Sequence, residues 1–183
     1  ESCKKTVLRA IEIAEEVGTR IIFDPNIRLK LTSDHEEYKK LINSVVERVD
    51  IFLPGLPEIE FLTGHSTPEE AAAYYLELNP NLKMAVKLGE KGSFYADATT
   101  QVYQKGYHVT DVKDPVGAGD AFSAGFISGL LQEETPETCL DRGNLLGALL
   151  TQMLGDVEGF PQLNQIQYFR EILSGQSNGD VKR

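Results

Sequence analysis

Basic residues are scarce in this 183-residue chain: 18 Lys and Arg stand against 28 Asp and Glu, a formal charge of −10 and a pI near 4.8. A surface of that sign repels the phosphates of nucleic acid, so DNA and RNA are excluded as general partners. Anionic lipid is excluded on the same ground. A phosphorylated ligand would have to be met by local donors and a metal ion, not by the field of the whole protein. Cysteine is nearly absent. Neither Cys3 nor Cys139 has a second Cys or His two to five residues away, which excludes zinc spacing. Two free thiols in a reducing cytosol are expected, and with them a cytoplasmic location. No apolar run approaches the roughly 20 residues of a membrane span. The charged, amphipathic opening does not read as a signal peptide. Internal repeats and low-complexity linkers are missing too. The chain opens at Glu1 directly into a helical pattern, so it reads as a piece of a longer polypeptide.

What is present suffices for a folded core. Hydrophobic residues make up 41% and charged residues 25%, enough for one domain or two small ones. Val7, Ala10, Ile11, Ala14 and Val17 share one helical face over 3–17, closed by Gly18. Buried strands are expected at 20–24, 50–53 and 84–88. Ser33 and Glu36 form a capping box before a helix over 34–48, and Thr67 and Glu70 form another before a helix to Leu78. A short helix covers 57–63. Gly89–Gly92 reads as a tight turn, followed by strands at 93–96, 101–104 and 107–110. Helices are expected over 117–131, 136–154 and 162–174. This order predicts an α/β fold, with a largely parallel sheet flanked by helices and antiparallel strands at one edge. The early strands read as apolar on both faces and expect neighbours and covering helices.

The stretch Asp114-Pro115-Val116-Gly117-Ala118-Gly119-Asp120 carries the most chemistry. Small residues let backbone N–H groups converge without side-chain obstruction, and a helix starting there points its positive end at the same place. Asp120 sits at the mouth of this anion cradle. An anion hole beside a carboxylate suits phosphoryl transfer to an alcohol. A helix-capping acid after two turn glycines explains the same spacing. The loop is no Walker A motif, because Gly-x-x-x-x-Gly-Lys-[Ser/Thr] does not occur in the chain. It is no Rossmann fingerprint either, because Phe122 stands where a third glycine is needed.

That stretch resembles the Asp-[Thr/Pro]-x-Gly-Ala-Gly-Asp signature of the ribokinase-like (PfkB) carbohydrate kinases. Three further stretches agree in order. Asp24-Pro25-Asn26-Ile27-Arg28 is similar to the Asp-x-Asn-x-Arg element of the sugar-acid and fructose kinase branch. Residues 54–64 resemble the family's Asn-x-x-Glu segment, with Gly55 in place of the Asn. Gly155 to Pro161 resembles the closing loop of 2-keto-3-deoxygluconate kinases, the nearest branch. The likeness runs from about residue 4 to 173 and covers the C-terminal half of a family member. Residues 1–174 are thus expected to be a portion of a ribokinase-like kinase domain, and 175–183 a flexible tail. The N-terminal half, with lid strands and most of the sugar pocket, is not in this sequence.

The resemblance implies ATP-dependent phosphoryl transfer to a sugar or sugar acid, most like 2-dehydro-3-deoxygluconokinase. Fructokinase and 5-dehydro-2-deoxygluconokinase are the alternatives, and a non-catalytic nucleotide-binding fragment is another. ATP and Mg²⁺ are implied as cofactors; a monovalent cation stays open. Asp120 would be the general base and touch the sugar, and the amides of Gly117, Ala118 and Gly119 would hold the transferring phosphoryl group. Arg28 would meet both substrate and nucleotide, with Asn26 beside it. Lys87, Gly89 and Gly92 would pass under the nucleotide, and Asn144, Gly147 and Ala148 would border the base. Glu58 would organise the metal through water, with Glu60 as a rival. His35, His65 and His108 lie outside the matching motifs and are read as non-catalytic. A homo-oligomer is expected of the full-length parent, and this piece by itself is expected to be inactive.

Overall fold

The computed structural model describes residues 2–155 and 160–175. Its elements run α1 (Ser2–Val17), β1 (Ile22–Phe23), α2 (His35–Val46), β2 (Ile51–Phe52), α3 (Leu56–Thr63), α4 (Pro68–Leu78), β3 (Lys83–Lys87), β4 (Gly92–Ala96), β5 (Gln101–Lys105), α5 (Ala118–Leu131), α6 (Pro136–Leu150) and α7 (Ile166–Leu173). The strand order is β1-β2-β3-β4-β5. β1–β2 and β2–β3 pair in parallel, with Ile22 opposite Ile51 and Phe52 opposite Met84. β3 and β4 are joined by a single 3-10 turn, Gly89–Lys91, and β4 and β5 by residues 97–100. Connections that short allow only an antiparallel return. The α/β fold with antiparallel strands at one edge therefore forms as expected. Among the described residues no helix is long and apolar enough to cross a membrane.

The chain divides into two compact units: Glu1–Val86 with Phe94–Gln101, and Lys87–Ser93 with Val102–Arg183. In the first, Phe52 and Met84 are fully buried because β2 and β3 each have neighbours on both sides. The Phe52 ring meets Tyr75 edge-on at 5.3 Å. The Tyr75 hydroxyl donates to Asn43 Oδ1 (2.8 Å), and Asn43 Nδ2 donates to the Leu62 carbonyl (3.1 Å). This buried relay ties α2, α3 and α4 together. Burial also raises the Tyr75 phenol well above its ordinary value, so it stays a donor.

Three local expectations change in this unit. β1 is two residues long and Ile22 is 36% exposed, because β1 ends the strand order with one neighbour. On α1 only Ile11 of the apolar face is buried, while Val17 is 69% exposed. α2 is capped by Asp34 and not by a Ser33–Glu36 box. The Asp34 carboxylate accepts the Glu37 N–H at 2.9 Å, a stronger acceptor than a hydroxyl. Half of the Thr67 box forms: Thr67 Oγ1 accepts the Glu70 amide as an N-cap, while Glu70 Oε2 takes the Thr67 hydroxyl at 2.8 Å in place of the Thr67 N–H.

In the second unit α5 and α6 approach through glycine. A Cβ on Gly125 would lie 2.7 Å from the Arg142 carbonyl oxygen, and one on Gly143 would lie 2.8 Å from the Phe122 ring. Leu145, Leu149 and Ala121 form the buried seam, and Ile166, Phe169 and Leu173 of α7 cover it. The expected strand at 107–110 is not there; Gly106 N donates to the Lys91 carbonyl at 3.3 Å and the chain leaves the sheet. α6 stops at Leu150, short of 154, because Lys113 N (2.8 Å) and Asp114 N (3.2 Å) take the Thr151 carbonyl. α7 starts at Ile166, after a 3-10 turn over Leu163–Gln165. Residues 156–159 of the closing loop and 176–183 of the tail lie outside the described residues.

Candidate functional site

The second unit builds a cavity of about 360 Å³ from three local structures. The first is the β3–β4 turn. Gly89 and Gly92 have φ of 63° and 107°, and a side chain on Gly92 would collide with the Gln104 carbonyl oxygen. Only glycine fits there without distortion. The second is the loop into α5. Asp114 Oδ1 accepts the Val116 N–H at 2.9 Å, Gly117 adopts φ 78°, and Ala121 N donates to the Gly117 carbonyl at 2.8 Å. Gly117 has no side chain to cap the helix, so the first turn of α5 opens without a side-chain acceptor. The third is α6, whose Gly143, Asn144, Gly147 and Ala148 form a wall.

The cavity gathers several residues singled out in the sequence: Lys87, Gly89, Gly92, Ala118, Gly119, Asn144, Gly147 and Ala148. A Cβ on Gly119 would lie 3.7 Å from Lys87 Nζ, so the ammonium sits against the start of α5. Gly117 and Asp120 do not line the cavity; Asp120 is exposed on the first turn of α5. Two expected roles are altered by hydrogen bonding. The Ala118 N–H donates to the Pro115 carbonyl at 3.3 Å, so it helps close the turn. Asn144 Nδ2 donates to the Gln104 and Lys105 carbonyls at 3.2 and 3.3 Å, pinning the end of β5 to α6. Pro115 of the signature and Phe122 just after it also line the cavity, together with Tyr107, Val109, Val112 and Thr151, which no motif marked. His108 lines it as well, exposed, although it falls outside every motif.

Asn26, Arg28 and Glu58 belong to the first unit. Asn26 is held at φ 42°, a left-handed conformation that Asn tolerates better than most residues. Arg28 is exposed and donates through Nη1 to the Ile27 carbonyl at 3.2 Å. Glu58 turns each carboxylate oxygen onto a backbone amide. Its Oε1 accepts the Ile27 N–H and its Oε2 accepts the Gly55 N–H, both at 2.7 Å. The structure thus brings Glu58 together with the Asn26–Arg28 loop. Glu60 is exposed on α3. His35 packs edge-on against Phe61 and His65 lies beside Tyr74. Among the described residues no group of three or more His, Cys, Asp or Glu could hold a metal ion.

Comparison with known proteins agrees with this architecture. Residues 1–163 match the family described as pfkB family carbohydrate kinase. The chain is 40% identical over 152 residues to 2-dehydro-3-deoxygluconokinase of Bacillus subtilis, covering 83% of this chain and 47% of that protein. An Escherichia coli protein described as a ribokinase II, solved with ATP and Mg²⁺, superposes with a TM-score of 0.81 and 34% identity. That match covers 91% of this chain and 53% of the other. Fructokinase from Vibrio cholerae, bound to fructose, ADP and calcium, gives a TM-score of 0.83 and 28% identity over 91% of this chain and 56% of that one. The chain therefore spans about half the length of these relatives. With the Gly117–Asp120 loop, the α/β order and the match over residues 1–163 in agreement, the chain belongs to the pfkB family of carbohydrate kinases.

Proposed function

We propose that this chain supplies the nucleotide side of an ATP-dependent kinase acting on a sugar or sugar-acid hydroxyl, most like 2-dehydro-3-deoxygluconokinase. The observation that carries the reading is the second unit's cavity, which ends on Gly119 and Lys87. Its volume is in the range of small-ligand sites. Val109, Val112, Phe122 and Ala148 offer an apolar slot for a flat base. Lys87 and the uncapped first turn of α5 offer positive charge for phosphates. These residues fit ATP, which supplies the phosphoryl group when bound.

The chain's own residues then divide the work. In this reading the Gly119 N–H and Lys87, which line the cavity, would donate to phosphate oxygens, and the Gly117 N–H at its edge would join them. Asp120 accepts the proton of the acceptor hydroxyl; phosphoryl transfer needs that proton held in line more than it needs a strong base. Arg28 offers a planar fork to a carboxylate or phosphate. The described residues form no dedicated cage for Mg²⁺, since no acidic cluster exists among them, and Glu58 would meet the ion only through water. The divalent ion therefore belongs with nucleotide phosphates and water, as is usual for Mg²⁺.

The test is ADP release by the protein that carries this chain, with ATP, Mg²⁺ and three acceptors: 2-dehydro-3-deoxygluconate, fructose and 5-dehydro-2-deoxygluconate. Turnover is expected to be fastest with the first. ATP binding without turnover of any acceptor would contradict the kinase reading and favour a non-catalytic nucleotide-binding module.

A further inference from the structure

The cavity has one wall that no secondary structure supports. β5 ends at Lys105, where Asn144 grips the last carbonyls. Gly106 N then donates to the Lys91 carbonyl at 3.3 Å, and the next backbone anchors after it are Lys113 N and Asp114 N on the Thr151 carbonyl. Between them the chain runs without a ladder, yet Tyr107, Val109 and Val112 all line the cavity. A wall of that kind is only as well placed as its side-chain anchors.

The anchor is a carboxylate on α6. The Tyr107 hydroxyl donates to Asp141 Oδ1 at 2.7 Å, and Gln104 Nε2 donates to the same oxygen at 3.4 Å. Arg170 Nε of α7 donates to Asp141 Oδ2 at 2.8 Å. Asp141 thus collects donors from the end of β5, from the unsupported wall and from the last helix. The Tyr107 ring packs against the α5–α6 seam that Ile166 and Phe169 also cover. We propose that Asp141 is a positioning residue for the nucleotide cavity: through Tyr107 it fixes the 107–112 wall, and through Arg170 it makes that fixing depend on α7 being docked. The inference rests on the reading of the cavity as the nucleotide site.

The chemistry of the pair suits the role. Burial, the hydrogen bond to Asp141 and the carboxylate's charge push the Tyr107 phenol up to about 12, so it stays a donor across the working pH range. Burial works against the charged form of Arg170, but the Asp141 carboxylate holds its guanidinium protonated. Asp141 lies in the α6 turn before the wall residue Asn144 and does not itself line the cavity. Its influence on a ligand would be indirect.

Two variants separate positioning from plain stability. Tyr107→Phe keeps the ring and removes only the hydroxyl; Asp141→Asn keeps the shape and removes the charge. In the protein that carries this chain, each is expected to weaken ADP binding by about 3–10-fold, the worth of a hydrogen bond. The double variant should lose less than the product of the two, because both act through one contact. Asp97→Ala, at the far end of β4 and outside the cavity, is the control: it lowers the melting temperature without moving the ADP affinity. Unchanged ADP affinity in both Tyr107→Phe and Asp141→Asn, whatever happens to their melting temperatures, overturns the inference. A wild-type protein that binds no adenine nucleotide overturns the cavity reading and this inference with it.

Discussion

α3 and α5 begin with the same local grammar and put it to different use. Each is preceded by a glycine N-cap without a side chain, Gly55 and Gly117, and each carries an acid at the third helical position, Glu58 and Asp120. Glu58 has one methylene more. It folds back to accept its own N-cap amide and also reaches Ile27 N. Asp120 is shorter, is exposed, and accepts no hydrogen bond among the described residues. One carboxylate is consumed by architecture and the other is left facing outward at a helix start. Side-chain length, together with an N-cap backbone that is extended at Gly55 and left-handed at Gly117, separates a clamp from a candidate base.

The sharpest way to break that contrast is to disable the outward carboxylate. Asp120→Asn is expected to leave the melting temperature unchanged and to lower kcat by roughly 10²–10⁴-fold, the value of a positioned base. Steady-state kinetics with the preferred acceptor checks this. Removing the inward carboxylate should do the opposite. Glu58→Ala takes away a charged acceptor from two backbone amides and is expected to cost about 1.5–3 kcal/mol in denaturant unfolding. Arg28→Lys probes the loop that Glu58 clamps. It keeps the charge and loses the planar fork, and kcat/KM is expected to fall by about 1.5–3 kcal/mol in transition-state terms.

Smaller effects sharpen the comparison further. Asp120→Glu restores the length that lets Glu58 cap its helix, so it is expected to stabilise the fold by about 0.5–1 kcal/mol while still losing turnover. Asp97 is a second captured carboxylate. Burial alone would raise its pKa, but the Thr99 amide at 2.8 Å, the Tyr95 hydroxyl at 2.7 Å and the Thr100 amide at 2.9 Å outweigh it and hold it below the ordinary value. A depressed folded pKa gives stability that is full above the unfolded value of about 3.9 and lost as pH falls through the folded one. Denaturant midpoints measured from pH 6 downward should therefore show a shallower acid decline for Asp97→Asn than for wild type.

Much of this was legible in the residues, for reasons that are local. The Thr67 cap, the glycines at 89 and 92 and the start of α5 follow from short-range sterics and capping, which the sequence carries directly. The misreadings have long-range causes. Tyr107 and Val109 alternate like a strand, but a strand needs a partner, and Gly106 turns the chain out of the sheet. Met153 and Leu154 prolong the helical pattern of α6, yet the amides of Lys113 and Asp114, far upstream in sequence, take the Thr151 carbonyl. Ser33 looked like a cap because a Glu follows three residues later, and the neighbouring Asp34 outcompeted it. Of the residues the motifs mark, Lys87, Gly89, Gly92 and Gly119 line the cavity, and Gly117 does not. Asn144 was foreseen on the wall, but its amide serves β5. Tyr107 and Asp141 carried no signal, since an isolated Tyr and Asp thirty-four residues apart in sequence match no spacing rule.

The central claim is that the second unit's cavity holds the nucleotide with its phosphates at the start of α5. A crystal structure of the protein with ADP tests this most directly. The account predicts the base among Val112, Ala148 and Gly147, with the terminal phosphate within hydrogen-bond reach of the Gly119 N–H and Lys87 Nζ. ADP bound elsewhere, with Tyr107 and Gly147 facing solvent alone, would contradict it.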